Sequence, residues 1–233
     1  MSSCIEIIEN EVEKIPCNEL IISSELYGNL CVERTEQTFY KSLERLSKYG
    51  KLIHLTKSVY YRPKQTVFGT VPISEEEIAD YYLKDNRGVL VGTRLYNIKG
   101  ITTQVAKKIE ILSTALVEKQ KHIQNVSIQR ITTELNEQTI PAIETLEILQ
   151  NSHKIEDLNV RGFVEYMENF ARSYSQAAMD MVLLSSHYKK STIAFMTAFL
   201  DYLKIEHTLG RYLSSMSNYK IPDMEELYEL ARG

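Results

Sequence analysis

The sequence predicts an α+β protein, mainly helical, and three observations lead to that class. Apolar residues recur at helical spacing near the N-terminus and again beyond Asn136. Short β-branched and aromatic runs, bounded by turn residues, occur at 52–55, 59–61, 109–112 and 123–131. A concentrated block of positive charge follows an acidic first helix.

In chain order, Ile5, Ile8, Val12 and Ile15 share one helical face, and Pro16 ends the pattern because it lacks an N–H and clashes with the preceding turn. Residues 20–22 read as a short strand, and Ser23 or Ser24 is placed to cap a second helix ending near Gly28 or Asn29. A third helix has Thr35 as its N-cap, Phe39, Leu43 and Leu46 as its inward stripe, and Gly50 at the C-cap. The runs at 52–55 and 59–61, separated by Thr56, Lys57 and Ser58, form a β-hairpin. Three helices and a hairpin within about 65 residues make the winged variant of the helix-turn-helix, whose third helix enters the major groove of DNA. The expected domains are a winged helix-turn-helix over 1–68 and a second domain over 69–233, mixed α/β to 135 and a helical bundle thereafter.

Charge supports this reading. Residues 1–33 carry one basic and seven acidic side chains, whereas residues 34–64 carry eight basic and two acidic ones. With the apolar stripe inward, Gln37, Lys41, Glu44 and Lys48 point outward, flanked by Arg34, Thr38 and Arg45. Gln37 suits an adenine edge, and Lys41 or Arg45 suits guanine or phosphate. Lys57 at the hairpin tip, with Arg62 and Lys64 after it, suits backbone phosphates.

Farther along, Ser74 and Glu77 form a capping box with Ile73 and Ile78 as its hydrophobic staple, which marks a helix start just after the expected boundary. A turn is expected at Lys99 and Gly100. Pro141 suits a first helical position, leading through Ile143, Leu146 and Leu149. Further stripes run from Phe163 to Tyr174, from Ile193 to Leu203, and through Leu209, Tyr212, Leu213 and Met216; Asp223 caps a last short helix.

Several function classes are not expected. The longest apolar runs fall well short of the ~20 residues that span a bilayer. The acidic N-terminus does not read as a secretory signal, so the expected compartment is the cytoplasm. Cys4, Cys17 and Cys31 lack metal-ligand spacing and are expected to be reduced thiols. The phosphate-loop, dinucleotide, zinc-protease and nucleophile-elbow motifs do not occur, and the five histidines, His54, His122, His153, His187 and His207, are scattered. No catalytic residue, metal or cofactor is therefore expected.

The run Phe39-Tyr40-Lys41-Ser42-Leu43-Glu44-Arg45-Leu46-Ser47-Lys48-Tyr49-Gly50-Lys51-Leu52, followed by Val59-Tyr60-Tyr61, resembles the winged helix of AbiEi-type antitoxins. Gly92-Thr93-Arg94-Leu95-Tyr96-Asn97, Gly100-Ile101-Thr102-Thr103-Gln104-Val105 and Tyr188-Lys189-Lys190-Ser191-Thr192-Ile193-Ala194-Phe195 are similar to later stretches of that family. This chain departs at His54 and Ser58, where the family's hairpin is richer in arginine and turns on glycine, and at Ala106 and Thr197, which replace a proline and a glycine. The resemblance implies a type IV toxin–antitoxin component: a transcriptional repressor of its own promoter at inverted repeats in double-stranded DNA, with a nucleotidyltransferase-like toxin as its cognate partner. The alternative is a protein-interaction module whose winged helix holds a partner protein and not DNA.

Overall fold

The computed structural model describes residues 4–30 and 35–233. By compactness the chain divides into two units, Met1–Tyr81 and Tyr82–Gly233. The architecture is α+β and mainly helical, as the sequence predicts.

The first unit contains α1 (Cys4–Lys14), β1 (Leu20–Ile22), α2 (Ser23–Asn29), α3 (Glu36–Lys48), β2 (Ile53–Thr56) and β3 (Val59–Tyr61). These strands form one antiparallel sheet in the order β1-β3-β2. Ile8 and Val12 of α1, Leu26 of α2, and Phe39, Leu43 and Leu46 of α3 share a core with Ile21, Leu52 and Tyr60. Arg62 ends α1: its guanidinium donates to the carbonyls of Glu13 (2.6 Å) and Ile15 (2.9 Å), which have no partner within the helix. Both ends of α3 are also closed. Thr35 Oγ1 accepts the Thr38 N–H at 3.4 Å. At the other end Gly50 adopts φ +71°. There the N–H groups of Gly50 and Lys51 return to the carbonyls of Ser47 and Leu46, both at 3.0 Å. Helix α2 starts without a side-chain cap. The Ser23 N–H donates instead to the Ser58 carbonyl at 2.9 Å.

Two further strands, β4 (Lys64–Thr66) and β5 (Gly69–Val71), form a separate hairpin, and α4 (Glu75–Leu83) follows. Ser74 and Glu77 make the capping box in both directions, Ser74 N–H to Glu77 Oε2 at 2.7 Å and Glu77 N–H to Ser74 Oγ at 3.2 Å. Asn18 also donates to Glu77 at 3.4 Å, and the Tyr81 hydroxyl to Glu25 at 2.7 Å. These bonds tie α4 to α2 and to the segment before β1, so the compact unit continues to Tyr81 where the sequence reading divides the chain after residue 68.

The second unit holds a four-stranded sheet of β6 (Gly88–Val91), β7 (Ile109–Ser113), β8 (Gln120–Ile123) and β9 (Val126–Arg130) in the order β6-β7-β9-β8. Only the β7–β9 pair is parallel. Helix α5 (Gly92–Ile98) follows β6, and five longer helices follow the sheet: α6 (Thr139–Asn151), α7 (Val160–Arg172), α8 (Gln176–Ser185), α9 (Lys190–Tyr202) and α10 (Met224–Arg232). Their buried stripes, including Leu146, Met167, Val182, Phe199 and Tyr228, share one core with Val89 of the sheet. Three expectations need correction. Helix α6 starts two residues before Pro141, which the missing proline N–H tolerates within the first turn. Helix α8 has no counterpart in the sequence reading. Residues Leu209–Tyr212 form only a short 3-10 turn, and Met216 stands 95% exposed.

The stretch at 100–105 is structural. Asn159, the N-cap of α7, donates from its backbone N–H to the Ile101 carbonyl (2.8 Å) and from Nδ2 to that of Gly100 (2.9 Å). Thr102 Oγ1 donates to the Glu156 carbonyl at 3.0 Å. A Cβ on Gly162 would collide with the Gly100 carbonyl, so glycine is required where α7 meets this turn.

Two substitutions check these closures by denaturant unfolding. Arg62→Ala, which leaves the last carbonyls of α1 without their donor, is expected to lower stability by about 2 kcal/mol. Gly162→Ala is expected to lower it by roughly 1–3 kcal/mol, while Gly210→Ala, with open space at its Cβ, stays within about 0.5 kcal/mol of the parent.

Candidate nucleic-acid interface

The packing of α3 decides which of its side chains face water. Phe39, Leu43 and Leu46 are fully buried, and Gln37, Thr38, Lys41, Glu44, Arg45 and Lys48 are all exposed. At 100° per residue, Gln37, Lys41, Arg45 and Lys48 fall within about 80° of one another, a single stripe along the helix. Glu44 lies about 20° beyond the edge of that stripe. Lys41, Arg45 and Lys48 form no ion pair with any described residue. Thr38 has a second task, since its hydroxyl meets Thr35 Oγ1 at 2.9 Å in the cap of the helix. Arg34 lies outside the described residues.

The wing is the β2–β3 hairpin. Thr56 pairs with Val59, leaving Lys57 and Ser58 as a two-residue turn, and Ser58 takes φ 63°, a conformation glycine adopts without strain. Lys57 is exposed at that tip. Its register shifts between His54 and Thr56, and the His54 and Tyr60 rings lie 4.8 Å apart. Burial raises the Tyr60 hydroxyl above its ordinary pKa, and the negative charge of Glu44 raises it further.

The two remaining basic residues are used differently from the expectation. Arg62 caps α1 and is not part of the exposed cationic stripe. Lys64 is exposed on β4, outside the wing. The hairpin that carries it ends in Val67 and Phe68, which are 94% and 99% exposed. Sequence reasoning missed this hairpin because all six residues of its strands are exposed and show no apolar alternation. The one available signal was the Val67-Phe68-Gly69 run between two threonines.

No curated protein matches the sequence. Among solved structures, the crystal structure of RV2827C protein from Mycobacterium tuberculosis is similar at 13% identity and a TM-score of 0.44, covering 84% of this chain and 75% of that one. The family of unknown function DUF6088 matches residues 8–136, more than half of the chain, from α1 through the four-stranded sheet. The chain belongs to the DUF6088 family.

Proposed function

We propose that this chain binds double-stranded DNA with α3 in the major groove and Lys57 on an adjacent phosphate. In this reading it represses its own promoter and serves as the antitoxin of a type IV toxin–antitoxin system directed against a nucleotidyltransferase-like toxin. One observation carries the DNA part: an amide and three cations, Gln37, Lys41, Arg45 and Lys48, stand on one exposed stripe of the third helix, the cations without internal ion pairs among the described residues. Such a stripe supplies both a bidentate base reader and phosphate contacts. The antitoxin part rests on the AbiEi resemblance, which supports it by analogy.

A second reading, a protein-interaction module, is favoured by a separate observation. Val67 and Phe68 project as a large apolar pair from the tip of the β4–β5 hairpin, and Arg62 adds nothing to the phosphate-binding surface. Val67→Ser with Phe68→Ser is expected to leave DNA affinity unchanged on the first reading; on the second it abolishes co-purification with the neighbouring gene's product.

Gel-shift titration against the gene's own upstream DNA tests the leading reading. The parent is expected to bind with affinity that falls steeply with salt. Lys41→Ala with Arg45→Ala should weaken binding by about 1–3 kcal/mol per lost base contact, or flatten the salt dependence by about one counterion per lost phosphate contact. Affinity and salt slope equal to the parent's would place the contact surface elsewhere.

A further inference from the structure

A polar cleft lies wholly within the second unit and does not depend on the DNA reading. Its cavity is about 500 Å³ and is lined by Glu110 of β7, Ser127 and Gln129 of β9, and Glu147 and Asn151 of α6. A second opening of about 570 Å³ shares Leu112, Glu147 and His187 with it, so the two form one groove with Glu147 at their junction. Tyr188 donates its hydroxyl to the Glu147 carboxylate, and Asn151, which bonds the Tyr96 hydroxyl, also donates to the Glu147 carbonyl at 3.0 Å. The Tyr188 bond holds the carboxylate in place. Yet no basic side chain among the described residues forms an ion pair with it. Glu110 has Lys108, a largely exposed lysine, at 2.7 Å.

We propose that this groove receives one monovalent organic cation, an ammonium or guanidinium group, between the carboxylates of Glu147 and Glu110. Two carboxylates against one lysine, Lys154, in the cleft lining select that class. A half-buried carboxylate without a counter-charge is unfavourable, and a cation entering the groove replaces the hydration that burial removed. Burial raises the Glu147 carboxyl above its ordinary pKa, donation from Tyr188 lowers it in part, and the charge of Glu110 raises it again. Ser127 Oγ and the Gln129 amide oxygen offer the further acceptors that a multi-donor head requires, and the rings of Tyr96 and Tyr188 border the groove. A metal ion fits less well, because among the described residues no three histidine, cysteine or acidic side chains converge. A free amine and an arginine or lysine side chain of another protein share this chemistry.

The affinity should depend on pH. Glu147 faces Glu110 from the sheet, Tyr96 from α5, Lys154 beyond the end of α6, and His187 and Tyr188 from the segment before α9, with Lys119 and Arg130 at the second opening. Protonating Glu147 removes the receptor charge and so weakens a cation in mild acid. Glu147→Gln keeps an acceptor for Tyr188. Because a raised carboxyl pKa loses stability as pH climbs from the ordinary carboxylate value through the raised one, this variant should melt at a higher Tm than the parent at neutral pH. It should have no advantage near pH 4, where the parent's carboxyl is protonated, and this shows that the variant folds.

Calorimetric titration of the full chain with butylguanidine, with a blocked arginine amide and with neutral butylurea tests the proposal. The two cations are expected to bind, and butylurea at least about tenfold more weakly. Glu147→Gln should weaken both cations by about tenfold or more, and Glu110→Gln in the same direction, while His187→Gln retains binding and the acid-side loss. Tighter binding of the blocked arginine assigns the groove to a protein side chain, and tighter binding of butylguanidine to a free small cation; either is the proposed cation site. Equal binding of butylurea, parent-like affinity in both glutamate variants, or no cation binding would overturn it. So would an acid-side loss that disappears in His187→Gln and persists in Glu147→Gln.

Discussion

Phe39, Leu43 and Leu46 are completely shielded from water and lie on one side of α3, and that placement decides where each polar side chain of the helix must go. Burying a side chain of this kind contributes roughly 1.5–3 kcal/mol, whereas an exposed ion pair contributes about 0–1 kcal/mol. The apolar stripe therefore sets the rotation of the helix, and the cations follow. The caps act in the same direction: Thr35 and Gly50 fix where the helix begins and ends, so Gln37 always falls in its first turn and Lys48 in its last. Lys48 also sits where the helix dipole favours positive charge, which allows a cation there without a carboxylate partner.

The division of labour among the basic residues follows from local geometry. Arg62 lies just after β3, beside the end of α1, and a planar multi-donor head satisfies two carbonyls at once. Lys57 occupies a two-residue turn that offers it no acidic neighbour, so it projects from the wing tip. The second unit shows the opposite balance. Glu147 is kept in a half-buried place where the charged form is disfavoured, although leucine or glutamine at that position would remove the cost. Proteins tolerate such local losses mainly where a ligand repays them.

Much of the first unit was legible in the sequence because its signals are local. A stripe at helical spacing, a threonine cap and a closing glycine each act over a few residues, and α3 shows all of them within 16. The capping box at Ser74 and Glu77 was readable for the same reason. Non-local features were not. The role of Arg62 depends on carbonyls 47 and 49 residues away in the chain. Helix α8 is apolar on more than one face and so has no clean stripe: Met179 and Val182 are buried, and Met181 and Leu184 are exposed. Strand β6 pairs with β7 at separations that begin with Val91 and Glu110 and widen to Gly88 and Ser113, and nothing in Gly88-Val89-Leu90-Val91 alone separates a buried strand from a buried helical turn. The cleft around Glu147 was equally hidden, since β7, α6 and the entry to α9 meet only in the folded unit.

Lysine reactivity, followed residue by residue with and without the upstream duplex, addresses the central claim most directly. If α3 and the wing meet DNA, Lys41, Lys48 and Lys57 lose reactivity in the complex while Lys14, on the helix that Arg62 closes, keeps it. Unchanged reactivity at all three, with protection confined to other lysines, would contradict the account.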